Sequence, residues 1–208
     1  MENFYLFGKG ELAIYCAELY LSKYNKENLK IIPVIPEPTW TESLVAWSEK
    51  NRVEIIDYKS ISGVDIVSSS IGLSIYFDKI FKTELIDKFD RLCNIHNSPL
   101  PKYRGVNPIN WALKNNEDSH GVTLHIVDQG IDTGDILDQK IFSINQNMEV
   151  SDVYNLCIES GKELLNKNLF KLDSLNSQPQ NNEDASLYTK LDFDKLEERK
   201  YFTRQIID

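Results

Sequence analysis

The stretch "RLCNIH" (91–96) ends an apolar run with two polar groups, Asn94 and His96, two residues apart. Side chains alternate along a strand, so these two point to one side and Cys93 to the other. An imidazole can take or give a proton near neutral pH, and a primary amide can donate to a developing oxyanion. Further along, the glycine-flanked loop "DQGIDTGD" carries Asp128, Asp132 and Asp135. A carboxylate beside an imidazole anchors its tautomer and stabilises the imidazolium. No serine sits in a G-x-S-x-G elbow, so the pattern offers a base, an oxyanion donor and no nucleophile. That combination suits direct acyl transfer between two bound molecules. Each member alone has a plain structural reading: a histidine ending a strand, or an aspartate capping its own turn. The pattern by itself leaves open which of the three aspartates meets His96. Of the other histidines, His125 reads as a buried structural residue on a strand and His120 as a surface loop residue.

The elements that must position these groups follow from periodicity. "FYLF" (4–7), the turn Gly8-Lys9-Gly10, and Leu12, Cys16 and Leu19 at i, i+4 and i+7 make an opening strand–turn–helix unit. Main-chain N–H groups at that helix start would suit an anion; a plain glycine turn is the alternative. "LKIIPVIP" (29–36) reads as a strand, and "TESLVAWSEKN" (41–51) as a helix capped by Thr41. "VEII" (53–56) and "VDIVSSS" (64–70) read as short strands, followed by a tight apolar segment and a helix from Lys82 to Phe89. After "RLCNIH" come a helix over 107–116 with Pro108 in its first turn, and a strand in which Val122, Leu124 and Ile126 share a face. A strand over Ile136–Phe142 precedes a long helix, 151–171, capped by Ser151, with Val153, Leu156, Cys157, Leu164 and Leu165 on its core face. "DSLNSQPQNNEDASLYTK" loses all periodicity and reads as a polar linker, and the tail as a short amphipathic helix or hairpin. The expected fold is α/β: a Rossmann-like, mostly parallel twisted sheet flanked by helices, with a short C-terminal extension. Residues 1–171 would form the catalytic domain, and 172–208 a linker and extension. In such sheets ligands gather outside the carboxyl ends of strands, which is where Asn94 and His96 fall.

Composition narrows the partners. With 23 basic against 32 acidic residues the net charge is −9. That argues against a general nucleic-acid or anionic-membrane surface, because phosphate binding rewards clustered Lys and Arg. Cys16, Cys93 and Cys157 are widely spaced in apolar sequence and form no C-x-x-C pair, so they read as buried thiols in a reducing cytosol, with no metal site. The N-terminus lacks a signal-peptide pattern, and no apolar run approaches the ~20 residues of a membrane span. A cytoplasmic protein is expected, with a homodimer left open.

"NIHNSPLPKYRGVNPINWAL" followed by "GVTLHIVDQGIDTGDIL" closely resembles the folate-dependent formyltransferase family. The resemblance rests on Asn-x-His, a Leu-Pro-x-Tyr-Arg-Gly loop and Asp-x-Gly with a following Asp, and it covers about residues 3–170. It implies that Asn94, His96 and Asp132 are catalytic and that 10-formyltetrahydrofolate is the formyl donor. The pterin would be held by main chain of Phe77, Asp78, Lys79 and Ile80 and of Asp128, Gln129, Gly130, Ile131 and Asp132. Lys9 and Gly10, at the first turn, would face the acceptor, with Lys102 and Arg104 as further phosphate partners. "HNSPLP" departs from the family's usual His-Pro-Ser or His-Ala-Ser. The stretch after position 171 is too short for the tRNA-binding β-barrel of methionyl-tRNA formyltransferase. The tail "ASLYTKLDFDKL" looks most like the sugar N-formyltransferases, which act on dTDP-linked 3- or 4-amino-dideoxy sugars in O-antigen or related glycan assembly. Formylation of methionyl-tRNA or glycinamide ribonucleotide, or a non-catalytic folate- or nucleotide-binding module, are the alternatives.

Overall fold

The computed structural model describes residues 3–196. Strand β1 (Phe4–Gly8) is buried at every position, as a strand covered on both faces must be. It turns through Lys9 into helix α1 (Gly10–Leu21). The turn needs its glycines: a Cβ on Gly8 would lie 2.3 Å from the Ile75 carbonyl oxygen, and Gly10 adopts φ +74°. Strand β2 (Leu29–Pro33), helix α2 (Leu44–Asn51), strand β3 (Glu54–Ile55), strand β4 (Ile71–Ile75), helix α3 (Thr83–Ile86) and strand β5 (Arg91–His96) follow. Then come β6 (Arg104–Gly105), α4 (Pro108–Lys114), β7 (Ser119–Ile126), β8 (Ile136–Ser143), α5 (Val150–Asn168) and β9 (Leu187–Tyr188).

The seven main strands run in the order β3-β2-β1-β4-β5-β7-β8, parallel from β3 to β5 and antiparallel between β7 and β8. Strands β6 and β9 form a separate parallel pair. This is the Rossmann-like, mostly parallel arrangement that the alternation of strands and helices implies. Residues 3–95 with 165–176 make one compact unit, and 96–164 with 177–196 a second.

The first unit is organised by aromatic side chains. Phe4 stacks on Tyr20 with ring centroids 4.9 Å apart, while Phe7 meets Phe77, Phe81 and Phe89 edge-on. Arg91 donates to the carbonyls of Leu172 and Leu175, which ties the returning segment to the start of β5. Cys16 and Cys93 are fully buried here, and burial pushes both thiols up, Cys93 to about 12.

Three sequence expectations in this unit change. Residues 64–70 form no strand; Ser70 closes a turn onto the Val67 carbonyl, and the strand is the next segment, β4, paired in register with β1. Helix α2 is capped by Ser43 rather than Thr41: Ser43 Oγ accepts from Ala46 N–H, and the Glu37 carboxylate takes the N–H groups of Leu44 and Val45. Helix α3 ends at Ile86, and Phe89 turns inward to the core instead of continuing it.

In the second unit, β7 is buried along nearly its whole length. Helix α5 starts at Val150, one residue before the expected cap, and continues as a 3-10 turn at Leu169–Lys171. Of the tail from Leu191 on, expected as a helix or hairpin, the start lies in a 3-10 helix, Lys190–Lys195, capped by Thr189, and the rest, beyond residue 196, lies outside the described residues. Among the described residues no helix is long and apolar enough to cross a membrane.

His120 is not the surface residue its position before the alternating run suggested. The strand begins one residue earlier, at Ser119, and His120 is fully buried, with Nε2 2.8 Å from the Asn97 carbonyl. Burial, joined by the charge of His96 and opposed by the Asn97 hydrogen bond, lowers its pKa from 6.5 to about 4. The unfolded chain therefore binds a proton that the folded chain refuses between these two values. Stability should fall as pH drops from about 6.5 to about 4, by on the order of 3 kcal/mol, and lose nothing further to this group below that. Thermal unfolding across that range should show a shallower loss for His120→Gln than for the wild-type chain; an identical slope would place the loss on other groups.

Candidate active site

His96 ends β5 and is 8% exposed. Its Nε2 lies 2.9 Å from the Tyr103 carbonyl oxygen, which can only accept, so this nitrogen carries hydrogen. The other nitrogen, Nδ1, faces Asp132 Oδ2 at 3.6 Å. A chemical step at His96 is therefore left to Nδ1. Asn94 lies two residues earlier on the same strand, half-buried and on the same side by strand alternation. The thiol of Cys93 is buried on the other side.

Of the three loop aspartates, Asp132 is the one that meets His96. Its Oδ2 also accepts the Gly105 N–H at 2.8 Å, and its Oδ1 stands 3.5 Å from His125 Nε2. Burial by itself would raise the carboxyl. The charge of His96, the hydrogen bond and charge of His125, and the Gly105 N–H outweigh it and hold Asp132 well below the usual carboxylate range. Asp128 instead caps its own loop, accepting from Gly130 N–H and Thr133 Oγ. Asp135 accepts from Ser177 Oγ. His125 is buried, as its strand position suggested, but its Nδ1 is anchored on the Ile126 carbonyl, 2.8 Å away, and so aims Nε2 at Asp132. That role was not readable from an alternating run.

The loop between His96 and β6 is fixed from below. Thr123 Oγ donates to the Ser98 carbonyl and accepts the Leu100 N–H, while Gln139 Nε2 reaches both Thr123 Oγ and the Leu100 carbonyl. Ser98 Oγ donates to the Lys102 carbonyl. These bonds place Tyr103 and Gly105, whose carbonyl and N–H then hold His96 and Asp132. The run 177–188, expected as a linker, is hydrogen-bonded chain. Gln178 exchanges backbone bonds with Ile136, and Arg104 and Val106 donate to the carbonyls of Ser186 and Tyr188. Polar composition concealed it because its bonds run to main chain and need no apolar period.

The residues expected to contact ligands are placed as follows. Phe77 packs among Phe7, Tyr58 and Phe81, and Tyr58 donates to the Ile80 carbonyl. Asp78 and Lys79 pair at 3.3 Å on the surface, and Ile80 is 81% exposed. In the second unit, Ile131 is largely exposed beside Gln129 and Gly130 on the Asp128–Asp132 loop. Lys9 is buried at the first turn, its N–H on the Ile75 carbonyl, with Gly10 opening α1 against Thr41. Lys102 is exposed, 3.9 Å from Glu117. Arg104 does not fit the expected phosphate partner. It is buried, with Nε and Nη2 donating to Gln180 Oε1 and Nη2 also to Asn182 Oδ1.

Gly105 links these features: φ is +90°, and an added Cβ would lie 2.0 Å from the Tyr188 carbonyl oxygen. Backbone strain of this kind costs roughly 1–3 kcal/mol, so Gly105→Ala should lower the melting temperature by roughly 3–10 °C. An unchanged melting temperature would mean that β6 and β9 separate without cost.

The formyl transferase family matches residues 22–169. Among curated relatives, methionyl-tRNA formyltransferase of Clostridium tetani is 36% identical over 139 residues, covering 65% of this chain and 45% of the relative. The bifunctional polymyxin resistance protein ArnA of Wigglesworthia glossinidia brevipalpis is 37% identical over 119 residues, 57% of this chain and 18% of the relative. The chain spans about half the length of most curated relatives it matches. Among solved structures, WlaRD, a sugar 3N-formyl transferase seen with dTDP and 5-N-formyl-THF, aligns with TM-score 0.86 at 32% identity, over 92% of this chain and 71% of that one. An N-formyltransferase from Helicobacter canadensis, in complex with folinic acid and dTDP-3-aminofucose, aligns with TM-score 0.84 at 33% identity, over 92% and 72%. With the family matched across most of its length, the chain belongs to the formyl transferase family.

Proposed function

We propose that the protein transfers a formyl group from 10-formyltetrahydrofolate to the amine of a dTDP-linked 3- or 4-amino-dideoxy sugar, in the cytoplasm and without a metal. The observation that carries formyl transfer is the buried His96–Asp132 pair, with Asn94 on the same strand side and no nucleophile among them. The sugar acceptor is supported by the WlaRD and Helicobacter canadensis structures, whose ligands are a nucleotide or a nucleotide sugar together with a folate. A net charge of −9 also suits a small acceptor better than a polyphosphate chain.

The residues fit the folate in kind. Phe77–Ile80 and Asp128–Asp132 each set an exposed apolar side chain, Ile80 or Ile131, on main chain that its own unit fixes from beneath. A flat heterocycle with amide-like edges asks for apolar surface and main-chain donors and acceptors. When bound, the folate would supply the formyl carbon that the amine attacks and would leave through the nitrogen that carried it, that nitrogen taking up a proton as the amine gives one up. Asn94 then donates to the developing oxyanion. His96 presents Nδ1 to the same oxygen, with Nε2 held by Tyr103. Asp132, kept ionised, orients the ring, offsets its charge and assists removal of the amine's proton. Holding both substrates in register supplies a further part of the acceleration. Lys9 and Lys102 are the cations proposed for the acceptor diphosphate.

The curated relatives favour a second reading, methionyl-tRNA as acceptor. Incubation with 10-formyltetrahydrofolate and, separately, dTDP-3-amino sugars, dTDP-4-amino sugars, methionyl-tRNA and glycinamide ribonucleotide decides between them by mass spectrometry. The proposal expects N-formylated dTDP-sugar; formyl-methionyl-tRNA as the sole product would replace it with the second reading. His96→Asn and Asp132→Asn should each lower turnover by roughly 10²–10⁴-fold. Near wild-type turnover in His96→Asn would refute the assigned mechanism.

A further inference from the structure

Asp132 occupies the left-handed region, φ +52°, which side chains other than glycine adopt seldom. Such a conformation persists where surrounding structure imposes it. Here one side chain does so. Gln180 Nε2 donates to the carbonyl oxygens of Asp132, at 2.9 Å, and of Gly134, at 2.7 Å. Its Oε1 accepts from Arg104 Nε and Nη2, at 3.0 and 2.7 Å. The amide orientation follows from its partners: a guanidinium only donates and carbonyls only accept, so the amide fits one way round. Every hydrogen-bonding capacity of the Gln180 amide group is used.

The same stretch of chain holds the other side of the carboxylate. Asp132 Oδ2 accepts the N–H of Gly105, and Gly105 belongs to β6, which pairs with β9 at Leu187–Tyr188. Tyr103, whose carbonyl anchors His96, donates its N–H to Ser186 Oγ. Residues 177–188 therefore fix the backbone that carries Asp132, the N–H that binds it, and the carbonyl that orients its partner. We propose that this segment is a positioning strap for the catalytic carboxylate, with Gln180 as the positioning residue and Arg104 as the group that orients Gln180. The proposal rests on Asp132 being catalytic, as the reading above has it. It also reassigns the buried arginine of the Lys-Tyr-Arg-Gly loop from the acceptor to the architecture of the site.

A residue that acts through Asp132 loses its effect once the Asp132 carboxylate is gone, and a residue that merely stabilises the fold does not. Gln180→Leu, which keeps bulk but removes the bonds, should lower kcat roughly 10–100-fold, the scale of a misplacement near 1 Å. The Michaelis constant for the acceptor should stay within about two-fold, and in an Asp132→Asn background the same change should cost kcat less than about two-fold. An equal loss in both backgrounds overturns the proposal. Asn182→Ala, which removes one bond to Arg104 but neither bond from Gln180 to the carbonyls, should lower kcat less than Gln180→Leu does; a loss as large as that of Gln180→Leu also overturns it. Should Gln180→Leu fail to fold, Gln180→Glu, which keeps an oxygen toward Arg104 and loses the donors, takes its place in the cycle. Should the wild-type protein formylate no acceptor, the functional reading fails separately, and the cycle is read as melting temperatures at pH 7. Gln180→Leu should then destabilise the Asp132→Asn background less than the wild type, and simple additivity overturns the strap.

Discussion

An ionised carboxylate held away from bulk water is the constraint around which the second unit is built. Burying such a charge is costly unless donors surround it. Asp132 meets that cost with one main-chain N–H and with two imidazoles, whose facing nitrogens donate to it when the rings are protonated. Each donor needs its own anchor. His96 is held by the Tyr103 carbonyl, His125 by the Ile126 carbonyl, and Gly105 by its pairing with β9. A charge that lost one of these partners would be left desolvated and underbonded, so the anchors extend into β7, β8 and the 177–188 segment. The polar network is consequently large for so small a site, and it is closely satisfied.

Much of this was legible, and the failures share a cause. The strand ending in His96, the parallel order implied by alternating strands and helices, and the buried cysteines follow from apolar period, which reports burial directly. Asn94 and His96 fall on one side because alternation is a property of the strand itself. Position 132 is a different matter: periodicity says nothing about three aspartates in one loop, and the family resemblance singled it out. Residues 64–70 were misread because valines and an isoleucine mimic a strand, whereas pairing with β1 selects the next segment. Ser43 displaced Thr41 as a cap because Glu37, distant in pattern terms, supplies the competing acceptor.

The polar segment 177–188 shows the limit most clearly. Glutamine, asparagine, serine and proline in succession describe a solvated linker as well as they describe chain bonded to other main chain. What separates the two is whether partners exist elsewhere in the sequence, here Arg104, Asp132, Gly134 and Ile136. Arg104 was misjudged for the complementary reason. An arginine beside a tyrosine and a glycine looks available, and only its neighbours reveal that Nε and Nη2 are engaged. On the proposed reading, the chemistry of formyl transfer is concentrated in few residues, and acceptor choice is left to surfaces outside the His96–Asp132–Gly105 network.

The central claim is that Asp132 stays ionised because His96, His125 and Gly105 surround it. The most direct test is the carboxyl carbon resonance of Asp132 in protein labelled with carbon-13 aspartate, assigned by its absence in Asp132→Asn, followed from about pH 6 to about pH 3.5. An ordinary aspartate titrates near 3.9, so its resonance would already be moving over this range. The account predicts a flat Asp132 resonance while exposed aspartates shift around it; a midpoint at the ordinary value would contradict it.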